Sequence, residues 1–175
     1  MGYTKGQINL LYQQLKTLLH NLALICINTS FMFDELNKYK TKDHFFFKAT
    51  DSLAEKCNAP DDKDGVYLVY ELKNGRISLV FIGTSGDKIP GYAIKEGLLG
   101  LYTNFLHGPD SEKTPRSQSW PVKMLSENID ALDIYWWVTY KNNRGDHPAD
   151  IKRSIRRKHK AMFGEPPIWN KSWLK

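Results

Sequence analysis

The cations are the residues of this 175-residue chain best suited to chemistry, and their spacing concentrates them. Between Pro148 and Phe163, Lys152, Arg153, Arg156, Arg157, Lys158 and Lys160 surround an apolar stripe of Ile151, Ile155 and Met162. Each Lys or Arg that neutralises a phosphate releases a condensed counterion, so such a face suits a polyanion; it equally suits a solvated surface. The formal net charge of +6 points the same way, although solubility alone accounts for a charge of this size. Trp120 and Trp136 could stack on bases, with core packing as their ordinary role. Cys26 and Cys57 are the two cysteines, no CxxC pair exists, and the histidines are scattered. That pattern is neither a disulfide framework nor a zinc site, and reduced, buried thiols suit a cytoplasmic protein.

The elements that must position these groups are legible in part. An apolar content of 41% is enough for a core, and the length fits one domain or one domain with an added arm. The apolar run Leu22 to Ile27 is too short to cross a bilayer, no secretory leader pattern is present, and position 6 is Gly where myristoylation wants Ser or Thr. From Gln7 to about Ile27, Leu11, Leu15, Leu18, Leu22 and Ile25 recur at helical spacing. A weaker helical segment covers Phe31 to Tyr39, and Thr41 to Asp64 reads as irregular. Residues 1–60 are therefore expected to form a helical arm, and residues 61–175 the main domain.

Two β-rich runs, GVYLVYEL and RISLVFIG, flank Asn74-Gly75, the dipeptide of a type I′ hairpin turn. TSGDKIPGY reads as loop. Ala93 to Leu106 reads as a helix whose Gly97 and Gly100 each cost about 1 kcal/mol in propensity, which suits either something approaching the backbone there or a poorly formed surface helix. Residues 107–119 read as a long exposed loop. Ala131 to Tyr140 is a third strand, and Asp146-His147-Pro148 opens a helix that runs to Phe163 and stops at Gly164. The expected fold is mixed α/β (α+β): a small antiparallel three-stranded sheet flanked by helices.

Gly65-Val66-Tyr67 on one hairpin strand, Phe81-Ile82-Gly83 on the other, the helix–strand–helix order after them and the closing Pro166-Pro167-Ile168-Trp169-Asn170 together resemble the GIY-YIG nuclease superfamily, restriction-endonuclease-like branch. The resemblance covers about residues 65–171. It implies that Tyr67 orients or activates water, that a helix arginine grips the scissile phosphate, and that a later glutamate holds a divalent metal. Tyrosine ordinarily titrates near 10, so as a base it needs cations beside it. Phe81 stands where a second tyrosine is usual and offers no hydrogen bond. No arginine lies between Arg76 and Arg116, so the helix after Phe81-Ile82-Gly83 cannot supply one; Asn104 falls near its place, and Lys88 and Lys95 are point-charge stand-ins. Lys152 falls at the metal-binding position, and Asp150 is the carboxylate inside that helix, about 200° around it.

The expectation is a degenerate site: a nuclease-fold protein that binds nucleic acid, double-stranded DNA above all, with impaired or no hydrolysis. Lys152, Arg153, Arg156, Arg157, Arg116 and Asn170 would contact the polyanion, and binding would need no cofactor. The competing reading is an active, metal-dependent restriction-type endonuclease using Tyr67, Lys88 or Lys95, and Mg²⁺ on Asp150. A third is an interaction subunit that self-associates through residues 1–60.

Overall fold

Asn74 and Gly75 both take positive φ, 51° and 69°, and turn the chain between β2 (Asp64–Lys73) and β3 (Arg76–Thr84) as a type I′ turn requires. The computed structural model describes residues 33–85, 93–100, 114–141 and 144–173. The expected helix Gln7–Ile27 lies outside them. The chain divides into two compact units, Met1–Asn37 and Lys38–Lys175. Of the first, the described part is a single 3₁₀ turn, Asp34–Leu36, closed by the Asn37 amide donating to Asp34 O at 3.0 Å.

The second unit is mixed α+β, and its antiparallel sheet runs in the order β1–β4–β2–β3. β4 (Ala131–Lys141) is the expected third strand, and β5 (Arg144–Gly145) folds back on it. The fourth long strand, β1 (Lys42–Phe47), corrects the expected three-stranded sheet and the expected boundary at residue 60. Three consecutive phenylalanines hide its alternation. Phe45 and Phe47 point into the core, whereas Phe46 remains 47% exposed. Such a segment becomes a strand only because β4 offers it an edge, with Phe45 opposite Ile134 and Phe47 opposite Leu132.

Side chains alternate across the sheet, so each face has its own set. Tyr67, Val69, Phe81, Ile134 and Trp136 lie in one core with Phe45 and Phe47. Helices α2 (Ile94–Leu99) and α3 (Arg116–Glu127) add Ile94, Leu98, Trp120 and Met124 to that core. A one-turn helix, α1 (Leu53–Lys56), contributes Leu53. α2 is capped at Gly100, which takes φ 70°; residues 101–106 of the expected helix lie outside the described residues. α3 occupies part of what was expected to be loop. Its Pro121 disfavours a helix interior, but Trp120 and Met124, four residues apart, dock it by burial.

α4 (Pro148–Phe163) begins at proline and ends at Gly164 with φ 81°, as expected. It lies against β2 and β3, whose Val66, Leu68 and Ile82 are buried on the face opposite Tyr67. Its buried stripe is Ile151, Ile155 and His159; Met162, expected in that stripe, is 51% exposed. His159 is accommodated by a 2.8 Å hydrogen bond between Nδ1 and Glu165 O. Among the described residues no helix is long and apolar enough to cross a membrane.

Candidate functional site around Tyr67

The motif glycines are spaces filled by their neighbours. A Cβ on Gly83 would lie 2.1 Å from Tyr67 Cζ, so the tyrosine ring lies directly on the backbone of β3. A Cβ on Gly65 would lie 1.9 Å from Trp137 O, which lets β4 close on β2. At Gly97 it would lie 2.7 Å from Thr84 O, so α2 is drawn against the end of β3. That is the close backbone approach expected from a glycine that weakens its own helix.

The result brings the Gly97 carbonyl to the buried Tyr67 hydroxyl, which donates to it at 3.1 Å. Arg116 Nη1 donates to the same carbonyl. The guanidinium carbon lies 5.7 Å from the centroid of Tyr67, 5.1 Å from that of Phe81 and 5.8 Å from that of Trp120. A half-buried planar cation is thus held among three rings, each able to stabilise it by about 0.5–2 kcal/mol. This corrects the expectation that no guanidinium stands beside Tyr67. The helix that follows Phe81-Ile82-Gly83 does lack an arginine. The next helix supplies one at its first residue, because Trp120 and Met124 anchor α3 with its N-terminus at Tyr67.

Phe81 packs against Tyr67 with centroids 6.0 Å apart and contributes no hydrogen bond, as expected. Trp120 and Trp136 are core residues; Trp136 Nε1 donates to Asn58 Oδ1 at 2.8 Å. Lys95 is half-buried, and its backbone N–H donates to Pro60 O at 3.1 Å. Its charge falls on Cys57, whose thiol burial pushes up in pKa, with the Ala59 amide and Lys95 pulling the other way. Lys88 and Asn104 lie outside the described residues.

Asp150 is exposed and pairs with Arg153 at 2.7 Å. It sits in the first turn of α4, against the sheet face opposite Tyr67. Among the described residues no group of three or more His, Cys, Asp or Glu is placed to hold a metal ion. The carboxyl that sequence reading passed over is Asp64, at the start of β2. Burial raises its pKa, His147 and a hydrogen bond with Ser85 lower it, and Glu96 raises it again.

The expected polyanion contacts separate into three groups. Lys152, Arg153, Arg156 and Arg157 are half-buried or exposed on α4. Arg116 belongs instead to the Tyr67 site. Asn170 is buried, and both ends of its amide bind Ile82: Oδ1 accepts from the amide at 2.8 Å and Nδ2 donates to the carbonyl at 3.1 Å. It therefore acts as a one-residue partner for the edge strand β3, and its burial turns it away from the surface. No family model matches the chain, and searches of curated proteins and of solved structures found no match.

Proposed function

We propose that this chain binds nucleic acid on a GIY-YIG-like nuclease scaffold, with hydrolysis impaired or lost. The observation that carries the reading is the convergence of the Tyr67 hydroxyl and the Arg116 guanidinium on one carbonyl. A guanidinium offers the fork geometry that phosphate oxygens accept, and its half-buried setting strengthens that interaction relative to water. Tyr67 is less suited to chemistry. Its hydroxyl donates to a neutral carbonyl, so its proton is held by an acceptor that cannot remove it. The exposed cations of α4 add sequence-independent attraction to duplex phosphates. A cytoplasmic location and self-association through the N-terminal arm, residues 1–60, remain parts of this reading.

Titrating labelled duplex DNA by fluorescence anisotropy across salt concentrations tests it. The expected result is binding at about 50 mM salt that weakens steeply by 200 mM. Replacing Arg156 and Arg157 by alanine together should flatten the log–log salt slope by roughly 2. A wild-type chain that leaves duplex DNA unbound at the lower salt would sink the proposal. Arg116 also favours a second reading, an active endonuclease, because tyrosine and arginine then fill two of the resembled roles. Magnesium-dependent nicking of plasmid, lost in Tyr67→Phe, would establish that reading instead.

A further inference from the structure

On the face of the sheet away from the Tyr67 core, β1 and β4 carry a continuous row of rings. His44 stacks on Tyr135 with centroids 4.7 Å apart and planes at 14°. Tyr135 stacks on Trp137 at 6.0 Å and 21°, and Phe46 meets His44 edge-on at 5.5 Å. Phe46 and the His44 side chain are 47% and 41% exposed, and Tyr135 and Trp137 are half-buried.

Beneath these rings lies an arrangement that stability alone disfavours. Asp133, whose side chain is 7% exposed, binds His44 Nδ1 at 2.8 Å. Beside it the Tyr70 hydroxyl is buried with no hydrogen-bond partner among the described residues. Burial raises the pKa of Asp133, outweighing its hydrogen bonds to His44 and Tyr135, and it raises that of Tyr70 with Tyr135 and Asp133 adding to the effect. Apolar residues of similar volume fill such a space more stably than a buried carboxylate and an orphaned phenol. What the carboxylate accomplishes is orientation: it fixes one ring nitrogen of His44 and leaves Nε2 on the far side of an exposed, stacked ring.

The rim is cationic. Lys42, opposite Trp137 in register, is exposed. The neighbouring Asp43 is turned to the other face, where Asn58 Nδ2 donates to it at 2.9 Å. A row of aromatic faces with a fixed polar handle and a cationic rim matches unpaired bases, whose faces duplex DNA keeps internal.

Building on the nucleic-acid reading above, we propose that this sheet face stacks the bases of single-stranded nucleic acid. Trp137 and Phe46 supply ring surface, His44 Nε2 bonds a base edge, and Lys42 faces the backbone. The test compares three labelled probes at one salt concentration: a short oligothymidylate, an abasic oligomer of equal length and charge, and a duplex. Wild-type protein should bind the oligothymidylate about 10-fold more tightly than the abasic strand. Trp137→Leu and Phe46→Ala should each remove most of that margin and leave duplex binding unchanged. Equal affinity for the base-bearing and abasic strands overturns the stacking face while the duplex reading stands. A parallel loss of duplex and single-strand binding in both variants also overturns it. Failure of all three probes to bind overturns both readings.

Discussion

Gly83 carries no side chain because the Tyr67 ring occupies the space that one would need. The obstructing atoms belong to a rigid ring buried in the core, so an added methyl has nowhere to go. Gly83→Ala should therefore lower stability by about 3 kcal/mol, read as a shift in the urea midpoint. An unchanged midpoint would mean that the ring is not seated on β3. Tyr67→Phe removes the bond to Gly97 and should cost about 1 kcal/mol. The two substitutions separate what the ring does for the fold from what the hydroxyl does. Arg116 is the third member of this group. Lysine would keep its charge but lose the planar fork that lies among Tyr67, Phe81 and Trp120, so Arg116→Lys should weaken duplex binding nearly as much as Arg116→Ala.

At the scale of elements, β3 is an edge strand whose exposed groups need an answer. Asn170 provides one by pairing through its side chain with both backbone groups of Ile82. Asn170→Ala would leave a buried N–H and a buried carbonyl unsatisfied, at about 1–3 kcal/mol each. Loss of a few kcal/mol in urea, with faster amide exchange at Ile82, is the expected outcome; unchanged exchange would refute the clamp. β1 is the other edge, and it shows how weak local preference can be overruled. Its Lys-Asp-His-Phe-Phe-Phe sequence has no clean alternation, yet β4 gives each phenylalanine a defined face. α3 repeats the lesson: burial of Trp120 and Met124 outweighs the penalty of Pro121.

For the whole molecule, the unit that carries the site begins at Lys38, not near residue 61. A chain covering residues 38–175 should unfold cooperatively in urea. A chain covering 61–175 lacks Phe45 and Phe47 and leaves β4 without its edge partner, so it should aggregate or lose its cooperative transition. Equal behaviour of the two would mean that β1 is dispensable. The start of this unit is also tied to the turn before α4. Tyr39 donates to Asp146 Oδ2 at 2.6 Å, and Lys38 pairs with the same oxygen at 2.6 Å. The hydrogen bond from Lys38, then that from Tyr39, hold the Asp146 carboxyl below its ordinary pKa. A depressed carboxyl contributes stability above the unfolded-state pKa and loses it as pH falls through the folded-state value. The urea midpoints of wild type and Asp146→Asn should therefore differ at neutral pH and converge below about pH 4. A gap that persisted in acid would show that the ionised carboxylate is not its source.

Sequence alone determined the features that a few neighbouring residues encode. Asn74-Gly75 specified the hairpin turn, and Pro148 and Gly164 bounded α4. Each depends on backbone conformations or periods that short segments express by themselves. Tertiary structure decided the rest. It brought Arg116 to Tyr67 from a helix that linear order placed too far along the chain, turned Asn170 inward to β3, and made a strand of Lys42–Phe47. It also assembled His44, Asp133 and Tyr135 from two strands distant in sequence. Contacts of this kind depend on which elements dock together, and docking depends on buried area and shape, which single segments do not specify.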